Sequence, residues 1–273
     1  MIKIVSDSSC DKKFLEKVPF SRVPLILTID DIDYVDNVNL DTYELQEAIK
    51  NCKTKMTSSC PSAQAYFDAA IDSDEVILVA ITSGLSGSLN AARVAKEMLE
   101  DEGKKVLIVD SMSASAGVCL IVEKLEEFVL EGLSLEEIGE KIEDYKNRMK
   151  LNFALANVDN FVKSGRIPKI LGDSIKALKL SLVCTASEEG KVKVINKART
   201  IKKGINSLYD EMIKNGFNGG KVIISHTFNF EGAENLKKKV LEAFPNTNIT
   251  LYETSGLCTY YAGELGVLVA YEI

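Results

Sequence analysis

The chain reads as an α/β protein with two α/β units, the first carrying a mainly parallel sheet flanked by helices, the second an α+β arrangement with a mixed sheet. Three observations predict this. Over residues 1–150, short runs that are apolar throughout alternate with helical stretches, the pattern of parallel strands covered on both faces. Over 151–273, extended runs begin to follow one another directly, and two of them are joined by the hairpin signal Glu188-Glu189-Gly190. A length of 273 residues suits one large domain or two modest ones, and the change of pattern puts the boundary near 150.

The elements follow in order. Residues 2–6 and 22–29 are β-rich runs, and helices are predicted at 41–52 and 61–71, the second opened by Pro61 in its first turn. Strand 76–82 leads through a Gly/Ser loop into helix 88–102, whose apolar residues crowd one side. Strand 106–109 ends in Asp110-Ser111 and is followed by a helix over 115–131. Ser134-Leu135-Glu136-Glu137 is a capping box that opens a helix reaching about 149. Beyond it come extended runs at 151–158, 180–185 and 191–197, helix 200–215, strand 221–225, helix 230–243, strand 248–252 and a strand near 265–272.

Composition narrows the function. Lys plus Arg number 33 against 40 Asp plus Glu, a formal charge of −7, which argues against broad contact with a nucleic-acid backbone. Lys202-Lys203 and Lys237-Lys238-Lys239 read as solvated helix faces. Apolar runs such as Val76 to Ile81 are far shorter than the roughly 20 residues that span a bilayer, so no membrane insertion is expected. Six scattered cysteines form no CxxC pair, so no metal site is expected, and no cofactor beyond a bound ligand. Met1 runs directly into a buried strand rather than a signal peptide, and the cysteines read as reduced thiols; both predict a cytoplasmic protein.

Hydroxyls gather where ligands of open parallel sheets bind, beyond the carboxyl ends of strands. The clusters are Ser6-Asp7-Ser8-Ser9, Thr82 to Ser88, and Asp110-Ser111 with Ser113 and Ser115. A fourth, Thr57-Ser58-Ser59, precedes Pro61. Any one of these reads as helix capping, since Ser, Thr and Asp are preferred there. Together they suggest an anion site centred on Thr82-Ser83-Gly84-Leu85-Ser86-Gly87-Ser88. A helix N-terminus offers unpaired N–H groups and a positive dipole end, and glycines let a ligand approach the backbone. The loop lacks Lys and Arg and matches neither the GxGxxG nor the GxxxxGK[ST] fingerprint, so a carboxylate suits it better than a triphosphate. A second reading makes Ser86 a nucleophile in a hydrolase or acyl-transfer enzyme, with His226, the one histidine, as its base.

These motifs resemble the DegV family of bacterial fatty-acid-binding proteins, which includes carrier subunits that present fatty acids to a fatty acid kinase. The resemblance runs through Ser6 to Ser9, Ser58-Ser59-Cys60-Pro61-Ser62, Thr82 to Ser88, Val109-Asp110-Ser111, Lys163-Ser164-Gly165-Arg166-Ile167, Lys197-Ala198-Arg199-Thr200 and Gly263 to Tyr271. It implies a long-chain fatty acid in a buried tunnel between the two units, its carboxylate held by hydroxyls, and no catalytic residues in this chain. By motif position, Ser58 or Ser59 and Ser86 contact the carboxylate, with Ser83 and the Gly87 N–H nearby and Arg199 near the opening for head-group handling or kinase docking. Where many members carry a histidine, this chain has Tyr261, whose hydroxyl can donate to a carboxylate without supplying a cation.

Overall fold

The computed structural model describes residues 2–170, 175 and 177–273. Among them, four strands form a wholly parallel sheet in the order β2-β1-β6-β7: β1 Ile2–Asp7, β2 Phe20–Val23, β6 Glu75–Ala80 and β7 Lys105–Asp110. All six β1 residues are buried, and so are five of the six in β6; β6 is accordingly apolar from Val76 to Ala80, whereas β1 buries Lys3, Ser6 and Asp7 among its apolar residues.

The predicted run 22–29 is not one strand. It breaks at Pro24, which lacks the N–H a ladder needs. β2 lies before the break and joins the parallel sheet. β3 Ile26–Ile29 lies after it and pairs antiparallel with β4 Ile32–Val35 and β5 Met56–Ser59 in a separate three-stranded sheet. The Thr57-Ser58-Ser59 cluster is therefore strand rather than helix entry. The helix after it is Ala63–Ala70, capped by the Ser62 hydroxyl and not begun by Pro61.

The chain changes sheet after helix Leu135–Asn147, which opens with the predicted capping box. β8 Met149–Leu155, β9 Ser181–Ala186, β10 Val192–Ala198, β11 Val222–His226, β12 Ile249–Glu253 and β13 Val267–Glu272 form a mixed sheet ordered β10-β9-β8-β13-β11-β12. Only the β11–β12 pair in it is parallel. Helices Ile201–Lys214 and Phe230–Ala243 cover one face.

The two sheets share a core. Helix Ala116–Leu130 is buried on nearly every side, packing Val118, Leu120 and Ile121 between Ile4 and Ile77 of the first sheet and Leu151 and Leu268 of the second. No described helix is long and apolar enough to cross a membrane.

Two short helices, Asp159–Lys163 and Gly256–Ala262, escape the sequence reading. The second is held by acceptors distant in sequence. Asp36 Oδ1 and Oδ2 accept the Gly256 and Leu257 N–H groups at 2.8 Å each, and Asp11 accepts the Ser255 N–H at 2.8 Å. These carboxylates occupy the positive end of a seven-residue helix that local propensity alone would not sustain. A Cβ on Gly256 would stand 2.5 Å from Leu40 Cδ2, so only glycine lets this helix approach so closely.

Candidate ligand-binding site

The four hydroxyl clusters divide by role. Ser6, Asp7, Ser8 and Ser9 are fully buried and serve the fold. Asp7 Oδ2 accepts the Ile81 N–H at 2.9 Å, Asp7 Oδ1 accepts from Ser9, and Ser8 Oγ accepts the Leu25 N–H at 3.0 Å. Burial pushes the Asp7 carboxyl above its ordinary pKa, against the pull of these donors. This cluster locks the ends of β1 and β6 together and leaves no group for a ligand.

The other clusters meet at a cavity of about 320 Å³ between the sheets, within the range typical of small-molecule sites. Its walls are mostly apolar, with Leu151, Phe153 and Leu155 of β8 opposite Leu25 and Ile81, and Leu268 of β13 alongside. Polar groups interrupt these walls. Ser58, Ser59, Ser86, Gly87 and Tyr261 are among them, and so are Ser113, Ser115, Thr185 and Lys191.

Several contacts draw these residues together. Ser58 Oγ lies 2.9 Å from Tyr261 Oη. A Cβ on Gly87 would stand 3.4 Å from Cys60 Sγ, so the loop after β6 faces the end of β5. Ser86 Oγ accepts the Ser88 N–H at 3.2 Å and lies 3.0 Å from Ser88 Oγ. Gly87 caps helix Ser88–Asp101 without a side-chain hydrogen bond, and its own N–H donates to no acceptor among the described residues. Those features leave an N–H donor of a helix end free beside the cavity, where an anion would be favoured.

The arginine at this mouth is Arg166. Its Nε donates to the Leu85 carbonyl at 3.2 Å and its Nη1 to the Ser164 carbonyl at 3.1 Å, and its guanidinium lies 5.9 Å from the centre of the Tyr261 ring. Tyr261 also packs against Phe161, ring centres 4.9 Å apart. Arg166 thus sets a guanidinium beside Tyr261 at this end of the cavity. The sequence reading quoted Arg166 within a motif and gave it no role.

Two residues named with them do not line the cavity. Ser83 is exposed, its N–H donating to Asp110 Oδ1 at 3.3 Å, and it does not line the cavity. Arg199 is exposed just beyond β10 and likewise lies off the cavity wall. The cavity-lining residues of β8 carry no signal in the sequence, because that strand is buried on both faces from Leu151 to Leu155 and shows no alternation to mark one side.

Ser86 and His226 are not brought together. His226 ends β11 on the mixed sheet, buried against Phe230 with ring centres 5.8 Å apart, and is absent from the cavity lining. Burial lowers its pKa, and its Nδ1 has no hydrogen-bond partner among the described residues. Among those residues there is also no cluster of three or more metal-ligating side chains.

The loop that carries Ser86 also latches onto the β9–β10 hairpin. Thr82 Oγ1 donates to the Gly190 carbonyl at 3.1 Å and accepts the Gly84 N–H at 3.2 Å. A Cβ on Gly84 would come within 2.3 Å of the Glu189 carbonyl oxygen. Gly190, with φ +69°, can carry no Cβ either, since one would stand 1.9 Å from Thr82 Oγ1.

A preformed apolar cavity with a few convergent polar groups at one end defines a small-molecule binding protein. The chain belongs to the DegV family, whose model, described as an uncharacterised protein family, matches residues 1–272. A DegV domain-containing protein of Streptococcus pneumoniae is 39% identical, with 99% of each chain covered, and one of Streptococcus pyogenes is 40% identical over the same shares. Among solved structures, the Streptococcus pneumoniae fatty acid kinase (Fak) B3 protein loaded with linoleic acid superposes with a TM-score of 0.96 at 39% identity, covering 100% of this chain and 99% of that one. A DegV family protein from Eubacterium eligens loaded with heptadecanoic acid also gives 0.96, at 31% identity and the same coverage.

Proposed function

We propose that this protein binds a long-chain fatty acid, its tail in the cavity and its carboxylate at the polar mouth. The observation that carries this reading is the convergence of Ser58, Tyr261, Arg166 and the Ser86–Ser88 helix entry on one part of a mostly apolar cavity. Each CH₂ withdrawn from water contributes about 0.8 kcal/mol, so a long chain supplies most of the affinity. The carboxylate cannot follow unpaired into a low-dielectric site, and the mouth meets it with hydroxyl, N–H and guanidinium donors. In this assignment Ser58, Ser59, Ser86 and Tyr261 supply hydroxyls, the Gly87 N–H joins them, and Arg166 supplies the charge.

The relatives crystallised with linoleic and heptadecanoic acids support this ligand class, and the name of the first supports presentation of the lipid to a fatty acid kinase. In this role the chain performs no chemistry of its own, in keeping with the separation of Ser86 from His226. Native mass spectrometry of the purified protein, followed by denaturing extraction, tests the ligand. One long-chain fatty acid per chain is expected. A lipid-free protein that also fails to take up a fluorescent fatty acid sinks the reading.

A further inference from the structure

Both hydroxyls of the Ser58–Tyr261 pair are tied to the small antiparallel sheet, by different routes. Ser58 belongs to it directly. In β5 it pairs with Leu27 of the central strand β3, and Leu27 pairs with Tyr34 of β4 on its other side. Tyr261 comes from helix Gly256–Ala262 and reaches the same sheet through Asp36. Asp36 is the residue after β4, and its N–H donates to the Leu25 carbonyl at 2.9 Å, which carries the β3–β4 pairing one step further. Its carboxylate then accepts the Gly256 and Leu257 N–H groups, one on each oxygen. Two such bonds fix direction as well as distance, since together they resist the rotation that one would allow.

Ordinary helix capping does not explain this arrangement. Ser255, of a type favoured at the N-cap, holds that position, yet its hydroxyl makes no cap hydrogen bond. A local cap would satisfy an N–H and leave the helix free to shift relative to Ser58. The acceptor comes instead from the sheet that carries Ser58, and it is a fully buried carboxylate with Arg22 Nη2 3.7 Å away. Burial pushes the Asp36 carboxyl above its ordinary pKa, and Arg22 is the strongest of the groups opposing that shift. Tyr261 stands about one helical turn beyond Leu257, so the setting of the first turn passes to it without a flexible joint. Leu257 and Tyr260 pack with Leu25 and Leu27 in one apolar cluster, which lays the helix on the same sheet.

We propose that Asp36 is a positioning residue of the ligand site, which sets the Tyr261 hydroxyl against Ser58 so that the pair is in place before a fatty-acid carboxylate arrives. Asp36 does not line the cavity and acts only through the helix. The gain is preorganisation, because hydroxyls held in the bound geometry lose little freedom on binding. The proposal rests on the fatty-acid reading above.

The test is a double-mutant cycle on the full chain, read by displacement of a fluorescent fatty acid, with a denaturation curve for each variant. Asp36→Asn keeps the side-chain shape but turns an N–H donor toward one of the two helix N–H groups. Fatty-acid affinity is expected to fall about fivefold, the loss that removing the Tyr261 hydroxyl itself should cause. Combined with Tyr261→Phe, it is expected to add nothing further, because the hydroxyl it acts through is gone. Gly256→Ala breaks the same contact by another route and carries the cycle if Asp36→Asn does not fold. Its Cβ would stand 2.9 Å from Asp36 Oδ1 and 2.5 Å from Leu40 Cδ2, which forces the first turn away. Glu123→Gln is the control. Glu123 is also a buried carboxylate, paired with Lys12 and Lys221 and absent from the cavity lining, so stability should fall while affinity stays. Losses that add in the double variant, unchanged affinity in the single one, or an equal loss in Glu123→Gln overturn the positioning role and leave the fatty-acid reading standing. An unmodified chain that takes up no fatty acid removes that reading, and the proposal with it.

Discussion

Ser58 and Tyr261, 203 positions apart in sequence, place their hydroxyl oxygens 2.9 Å apart at the mouth of the cavity. One comes from the small antiparallel sheet and the other from the short helix that Asp36 and Asp11 hold in place. Tyr261→Phe keeps the ring against Phe161 and Arg166 while removing the hydroxyl. Fatty-acid affinity should fall by about fivefold, the worth of roughly 1 kcal/mol of hydrogen bonding, with thermal stability unchanged. Displacement of a fluorescent fatty acid measures the first, and a melting curve the second.

Ser86→Ala separates binding from catalysis. It should weaken fatty-acid binding by a similar factor and leave the fold intact, because Ser86 is only part-buried and the one N–H it accepts, that of Ser88, is a single local hydrogen bond. The unmodified Ser86 should resist a fluorophosphonate probe, having no imidazole beside it. Labelling of Ser86 would restore the hydrolase reading.

The two arginines should behave differently. Arg166→Gln removes the cation at the mouth and the tie to Leu85, and should cost about tenfold or more in affinity. Arg199→Gln should leave lipid affinity unchanged, since Arg199 is exposed and off the cavity wall. Equal losses in the two variants would show that the mouth extends farther than the cavity described above.

Gly84→Ala tests the latch. Its new Cβ, 2.3 Å from the Glu189 carbonyl oxygen, must push the β9–β10 hairpin away or displace the Ser86 loop. A stability loss of about 1–3 kcal/mol is expected, together with faster release of bound lipid. Chemical denaturation and stopped-flow release report the two effects separately. Unchanged release would detach the latch from the ligand site.

The single histidine makes one pH effect easy to isolate. Burial lowers the His226 pKa below its ordinary 6.5, so the unfolded chain takes up this proton at higher pH than the folded one. The contribution of neutral His226 to stability is full above pH 6.5 and is lost as pH falls through the depressed folded value. The imidazole resonance should titrate with a midpoint below 6.5, and a midpoint at or above it contradicts the burial argument.

Much of this architecture was legible in sequence because burial writes itself into composition. Val76 to Ala80 of β6 and Val106 to Val109 of β7 are continuous apolar runs, and the capping box at Ser134 is a local signal. What escaped depends on distant partners. Helix Gly256–Ala262 exists because Asp36 and Asp11 accept its N–H groups, and nothing within those seven residues announces it. The hydroxyls of Ser6 to Ser9 looked like those of Ser86 to Ser88, and only burial separates a strand lock from an open helix end. Motif position brought Ser58, Ser59, Ser86, Gly87 and Tyr261 to the cavity. Arg166 was passed over because its role comes from the direction of its side chain, held by two carbonyls.

The position of β13 bears on how the protein is made. It pairs with β8 on one side and β11 on the other, so the last-synthesised strand of the mixed sheet lies in its interior. Until residues 267–272 leave the ribosome, the sheet remains in two unjoined halves and the wall supplied by Leu268 is missing. The parallel sheet can fold earlier, as N-terminal units generally do during translation. The cavity thus closes only once Leu268 takes its place on the strand that joins β8 to β11.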